Sequence, residues 1–204
     1  MKPALIIVDV QSDFCPGGAL GTERGNEVAE KIATLQRRYE TVVATQDWHI
    51  DPGSHFSKDP DFVDSWPVHC VAESHGAAMH EAIGPTQAYF RKGEYTAAYS
   101  GFEGAANGTL LAEWLREQGI ESVDIVGIAT DHCVRATAAD ALQEGFTVRV
   151  LRDYCSPVDE SRGEAALEEL AAAGATICWL KGHFVWINRC GFPGQPWAMP
   201  GSCF

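Results

Sequence analysis

Short apolar, β-branched runs alternate along the chain with stretches whose apolar residues recur every three or four positions. Leu110 to Gln118 has the helical period, stops at Gly119 and is followed by the run Val123 to Ile128. The unit repeats: Val134 to Glu144 stops at Gly145 before Thr147 to Leu151, and Glu164 to Ala173 stops at Gly174 before Thr176 to Leu180. Glycine adopts the left-handed conformation that closes a helix, so each of these glycines marks a predicted helix end. Ser161 and Glu164 have the spacing of a capping box for the last helix. Nearer the amino terminus, the apolar run Leu5 to Val10 reads as a strand. Glu27 to Tyr39 carries Val28, Ile32, Leu35 and Tyr39 on one face and precedes the strand Thr41 to Thr45, and Ala88 to Phe90 is a further short strand. Short apolar strands spaced by amphipathic helices require a parallel sheet covered on both faces. The predicted fold is α/β, a three-layer α/β/α sandwich with a mostly parallel, doubly wound sheet.

Two segments break this rhythm. Gln46 to Gln87 has no sustained period apart from a short predicted helix at Ala77 to Ile83, and it holds five of the seven histidines. A long irregular segment in a compact domain is commonly functional. The stretch from about 182 to 204 is also irregular and aromatic, and is expected to pack over the domain or a partner subunit; monomer and homo-oligomer both stay open. At 204 residues the expectation is a single domain, 1–204, ending in that extension. With 28 acidic against 15 basic side chains the formal charge is −13, which argues against nucleic acid and anionic membranes as partners and leaves a small molecule. No apolar stretch suits a signal or a membrane span, so a cytoplasmic protein is expected. The seven cysteines include no C-x-x-C pair, which indicates neither a disulfide framework nor a zinc finger.

Ligands of open α/β sheets bind beyond the carboxyl ends of the strands. Three reactive side chains fall there: Asp9 at the end of the first strand, Lys92 just past Ala88 to Phe90, and Cys133 at the start of the helix Val134 to Glu144. A carboxylate in an apolar strand needs a partner, and burial raises its pKa towards that of a working base. With Thr130 or Asp131 as helix cap, Cys133 would sit at the positive end of a helix. Such a position, with Lys92 near, is expected to lower a thiol pKa from about 8.5 into roughly 3.5–7.5. Asp9 could take the thiol proton, and the same N–H groups could hold an oxyanion. The loop adds Asp47, His49, His55 and His69, and three imidazoles with one carboxylate suit Zn²⁺, Fe²⁺ or Mn²⁺. Singly, each has an ordinary alternative as a packed thiol, a capping carboxylate or a solvated histidine. Cys178 reads as core, Cys70 as a possible soft ligand beside His69, and His75 and His80 as a solvated face.

The runs Ile6 to Cys15, Val43 to His49, His55-Phe56, Ser65 to Cys70, Lys92-Gly93, Tyr99 to Phe102 and Val126 to Val134 resemble the nicotinamidases (pyrazinamidases) of the isochorismatase-like cysteine hydrolases, over roughly Lys2 to Lys181. The resemblance implies an amidase that converts nicotinamide, and also pyrazinamide, to the carboxylic acid and ammonia through a cysteine thioester, in pyridine nucleotide salvage. It implies Cys133 as nucleophile, Asp9 as general base then acid, and Lys92 as electrostatic support. It further implies Asp47, His49, His55 and His69 as ligands of one divalent metal ion (Zn, Fe or Mn). The N–H groups of Ala129 and Cys133 would form the oxyanion hole, beside a cis peptide between Ile128 and Ala129. Phe14, Trp66 and Tyr99 would wall the ring. Two rival readings are a metal-free amidase or isochorismatase of the same superfamily, and a non-catalytic metal- or redox-responsive module.

Overall fold

The computed structural model describes residues 3–179, so the expected packing of the 182–204 extension lies outside the described residues. Twelve regular elements matter here. In chain order they are β1 (Ala4–Val8), α1 (Gly25–Leu35), β2 (Val42–Asp47), β3 (Ala88–Lys92), β4 (Ala105–Ala106), β5 (Thr109–Leu110), α2 (Leu111–Glu117), β6 (Ser122–Ile128), α3 (Arg135–Gln143), β7 (Thr147–Ser156), α4 (Glu160–Ala172) and β8 (Thr176–Cys178). The sheet runs β5-β4-β3-β2-β1-β6-β7-β8. All pairings are parallel except β3 with β4 and β4 with β5. None of the described helices is long and apolar enough to cross a membrane.

The central strand β1 explains the layering. Leu5 and Ile7 face α1, packing with Val28, Ala29, Ile32 and Leu35. Ala4, Ile6 and Val8 face the other way, into a core shared with Leu111 and Leu115 of α2, Ala138 and Ala141 of α3, and Leu167 and Leu170 of α4. Alternation in a strand with no exposed residue therefore needs two covering layers, as the sequence predicts. From β1 the chain builds outward first through β2 and β3, then on the opposite side through β6, β7 and β8. The crevice at this reversal, at the carboxyl ends of β1, β2, β3 and β6, is where an open α/β sheet binds its ligand.

Several predicted boundaries move, for identifiable reasons. Strand β2 continues through Gln46 and Asp47, and β3 through Arg91 and Lys92, which places Asp47 and Lys92 opposite one another in register. Strand β7 extends to Ser156. Helix α4 starts at Glu160, not Glu164; its N-cap is Asp159, whose carboxylate accepts from Arg162 N at 2.9 Å. The predicted box from Ser161 does not form, because Ser161 donates to Asp159 and Glu164 pairs with Arg152. Gly163 lies inside the helix since a Cβ there would come within 2.7 Å of Pro157. The short helix expected at Ala77 to Ile83 is absent; the segment is spent instead on extending the line of β1, with His80 N donating to Val10 O and Met79 bridging Gln11.

Away from the crevice, β6 carries a fully buried carboxylate, Asp124. Arg149 Nε reaches its Oδ1 at 2.6 Å, and both Arg149 and the Tyr39 hydroxyl donate to Oδ2. Removing one member strands a buried charge, which costs about 3–5 kcal/mol. Asp124→Ala is therefore expected to lower Tm by on the order of 10 °C in a chain of this size, as read by thermal unfolding.

Candidate active site and metal centre

Asp9 stands immediately beyond β1 with φ +46°, a left-handed backbone uncommon for a residue with a side chain. Its carboxylate is fully buried. Oδ1 accepts from Thr45 Oγ1 at 2.6 Å, and Thr45 Oγ1 in turn accepts from Asp9 N at 3.2 Å. Oδ2 lies 3.0 Å from the Lys92 ammonium. Lys92, 2% exposed, also pairs with Asp47 Oδ1, donates to Ala98 O at 3.2 Å and reaches Cys133 Sγ at 3.7 Å. Burial alone would discharge this lysine, but Asp47 and Asp9 outweigh it and hold Lys92 well above its ordinary value, as a cation. Burial raises Asp9 above the usual carboxylate value against the pull of Lys92. Asp47 goes the other way: despite its burial, Lys92 and His49 hold it well below the usual range.

Cys133 lies in a single π-helical turn, Thr130–Val134, that leads from β6 into α3. The peptide between Ile128 and Ala129 is cis, as the resemblance implies. The expected caps do not form. The residue before the turn is Ala129, with no side-chain cap, and Asp131 faces away, accepting from Val158 N at 2.9 Å and lying 3.3 Å from Arg162 Nε. Asp131 thus ties the turn to the β7–α4 corner. The expectation of a lowered thiol pKa is also overturned: burial raises Cys133 well above its ordinary value, Lys92 opposes it, and Asp9 and Asp47 raise it further. Cys133 therefore rests as a thiol with the Asp9 carboxyl group within 4.8 Å of its sulfur.

The segment after β2 brings three histidines to the end of that strand. Ligand atoms of His49, His55 and His69 lie within 4.8 Å of one another, all three residues buried. Asp47 Oδ2 faces them, 3.7 Å from His49 Nε2 and 3.8 Å from His69 Nε2. The other ring nitrogens are committed, His49 Nδ1 to Gly93 O at 2.6 Å and His69 Nδ1 to Pro67 O at 2.7 Å, which aims each Nε2 inward. His49 Nε2 and His55 Nδ1 are buried without a hydrogen-bond partner, and burial lowers His55 to about 4, so it is neutral at pH 7. Inward-facing imidazole nitrogens without partners, beside a fixed carboxylate, fit a divalent cation. Gln11, fully buried, exchanges two bonds with the Asp47 backbone and holds this corner to β1.

A cavity of about 420 Å³ opens over these groups. Its lining includes the predicted Phe14, Trp66 and Tyr99, together with Asp47, His55, His69, Ala129 and Cys133. Trp66 Nε1 donates to Tyr99 Oη at 3.0 Å, fixing the two rings against each other. Sequence reasoning missed His132, which lines the cavity with its ring 5.3 Å edge-on from Trp66 and 6.4 Å from Tyr99, and missed the Phe62 and Val158 contributions. Proximity to Cys133 was the one signal for His132. The other described cysteines lie outside this cluster. Cys15 and Cys155 are buried and pushed up to about 11 and about 12, Cys178 is buried in β8, and Cys70 belongs to neither candidate ligand cluster. His75 is exposed, as expected, and His80 is half-buried, its Nδ1 accepting from Ala82 N.

Comparison with known proteins follows the same lines. The isochorismatase domain model matches residues 3–180. The nicotinamidase/pyrazinamidase of Mycobacterium tuberculosis is 51% identical over 180 residues, covering 85% of this chain and 97% of that protein. The Escherichia coli nicotinamidase is 38% identical over 198 residues, covering 85% and 93%. Among solved structures, the pyrazinamidase of Pyrococcus horikoshii in complex with zinc matches with a TM-score of 0.75 at 39% identity, covering 88% of this chain and 100% of that one. A Leishmania infantum protein in complex with nicotinate matches with a TM-score of 0.77 at 35% identity, covering 86% and 91%.

Gly93 offers a test of the metal centre. It has φ +76°, its carbonyl anchors His49 Nδ1, and a Cβ on it would come within 2.7 Å of the His49 ring. Gly93→Ala is expected to turn that ring and weaken zinc binding by roughly 10–100-fold, as measured by competition with a chromogenic chelator, with the far-ultraviolet circular dichroism unchanged.

Proposed function

The chain belongs to the isochorismatase family, and from that premise we propose that it is a nicotinamidase, hydrolysing nicotinamide, and pyrazinamide with it, to the ring carboxylic acid and ammonia. One observation carries the assignment. A buried ammonium, Lys92, is shared by the Asp9 carboxylate and the thiol of Cys133, and that thiol lines a cavity walled by aromatic rings and histidines.

Each residue then has a role that its surroundings support. Asp9 takes the proton of Cys133, and the sulfur attacks the carboxamide carbon. Two backbone N–H groups, of Ala129 and Cys133, receive the oxyanion that forms at the carbonyl oxygen. Asp9 returns its proton to the departing ammonia, leaving a thioester on Cys133. A water, deprotonated by the same carboxylate, cleaves the thioester, releases the acid and restores the thiol. Lys92 stays charged throughout; it opposes the effect of burial on the Asp9 carboxyl group and on the Cys133 thiol. Phe14, Trp66 and Tyr99 hold the ring by its faces and edges. Asp47, His49, His55 and His69 would hold one divalent cation, which supplies a Lewis acid that orients the ring nitrogen. Because Cys133 must remain a reduced thiol, a cytoplasmic location is part of the same proposal. The net charge of −13 suits an uncharged amide and no nucleic acid or membrane partner.

Ammonia release from nicotinamide tests the reading. Cys133→Ala, or alkylation of Cys133, is expected to abolish it. Asp9→Asn is expected to reduce kcat by about 10²–10⁴-fold, the span of general acid–base catalysis, with the fold retained. Activity surviving both changes, or no ammonia from any carboxamide by a protein that retains its metal, would overturn the assignment. Stripping the metal with a chelator is expected to raise KM by at least the factor by which kcat falls, and zinc should restore both.

A further inference from the structure

Thr45 interrupts the apolar run of β2 and is itself fully exposed to neither solvent nor cavity, at 0% accessibility. Its methyl group fills the space left by Gly101, where a Cβ would come within 2.6 Å of Thr45 Cγ2. Gly101 is held there by its own N–H, which donates to Thr137 Oγ1 at 2.8 Å. With the methyl seated, the hydroxyl points at Asp9 and makes two bonds, accepting from Asp9 N at 3.2 Å and donating to Oδ1 at 2.6 Å. A hydroxyl has a single proton to donate, so this one is committed to Oδ1. The two oxygens of Asp9 are thereby made unequal. Oδ1 carries a strong charge-assisted bond, and Oδ2 faces Lys92, whose ammonium also lies against Cys133 Sγ.

We propose that Thr45 is a positioning residue for proton transfer: by occupying Oδ1 it directs the travelling proton onto Oδ2 and fixes that oxygen beside the sulfur. The proton leaves Cys133 Sγ, rests on Oδ2 while the C–S bond forms, and passes to the amide nitrogen as the C–N bond breaks. Thr45 keeps its own proton throughout. This inference rests on the role given to Asp9 above.

Thr45→Val keeps the shape and removes the hydroxyl, and Thr45→Ser keeps the hydroxyl and removes the methyl. Thr45→Val is expected to lower kcat by roughly 10–100-fold, the effect of losing a hydrogen bond to a charged group, with KM and bound zinc within about twofold of the parent. Thr45→Ser is expected to recover kcat to within about threefold. In an Asp9→Asn background, Thr45→Val should add almost nothing, since the two changes act on one step. Urea unfolding checks each variant; where Thr45→Val does not fold, Thr45→Ala carries the same expectation. A fully active Thr45→Val beside an inactive Asp9→Asn overturns the role of Thr45 alone, as does a Thr45→Ser no better than Thr45→Val, or full additivity with Asp9→Asn. Wild-type kcat in Asp9→Asn itself removes the reading beneath.

Discussion

The structure is organised around one buried ammonium. Lys92 is stripped of water and survives as a cation because the ends of three parallel strands bring acceptors to it: Asp9 from β1, Asp47 from β2, and the Ala98 carbonyl from the segment after β3. Removing a cation from water costs several kcal/mol even after relaxation, and only close, well-oriented partners offset that. Two strands in register provide one such partner without any loop, since Asp47 and Lys92 are paired residues of β2 and β3. The third strand provides the other at the cost of an unusual backbone at Asp9. Asp9, Asp47 and Cys133 all lie within reach of that one cation.

Much of this was legible in the sequence, and for a definite reason. A strand buried on both faces is nearly all apolar, so Asp9 and Lys92 stand out against their surroundings, and the parallel sheet puts strand ends together. The histidines were legible because a long aperiodic segment was holding them. What sequence reading could not supply was direction. It assigned Thr130 or Asp131 to cap the Cys133 turn, whereas Asp131 is turned outward to Val158 and Arg162. It judged the thiol by its place on a helix, and burial reverses the result.

The residues missed altogether share a trait. Thr45, Gln11 and His132 are ordinary in their local pattern and acquire their parts through partners 36 or more positions away or through a cavity built by distant loops. Threonine in a strand is a β-former, and glutamine after a strand is a turn residue; neither announces a tertiary bond. The α4 boundary failed for a related reason. Ser161 and Glu164 have the spacing of a capping box, but the cap is Asp159, and Gly163 lies within the helix, packed on Pro157.

Asp47 belongs to two assemblies at once: one oxygen meets Lys92 and the other faces His49 and His69. Asp47 thereby links the histidine cluster to Lys92, and Lys92 links it in turn to Asp9 and Cys133. A cation held at the histidines would act on Lys92 through this shared carboxylate, and whatever free energy couples the two ends would act equally in both directions.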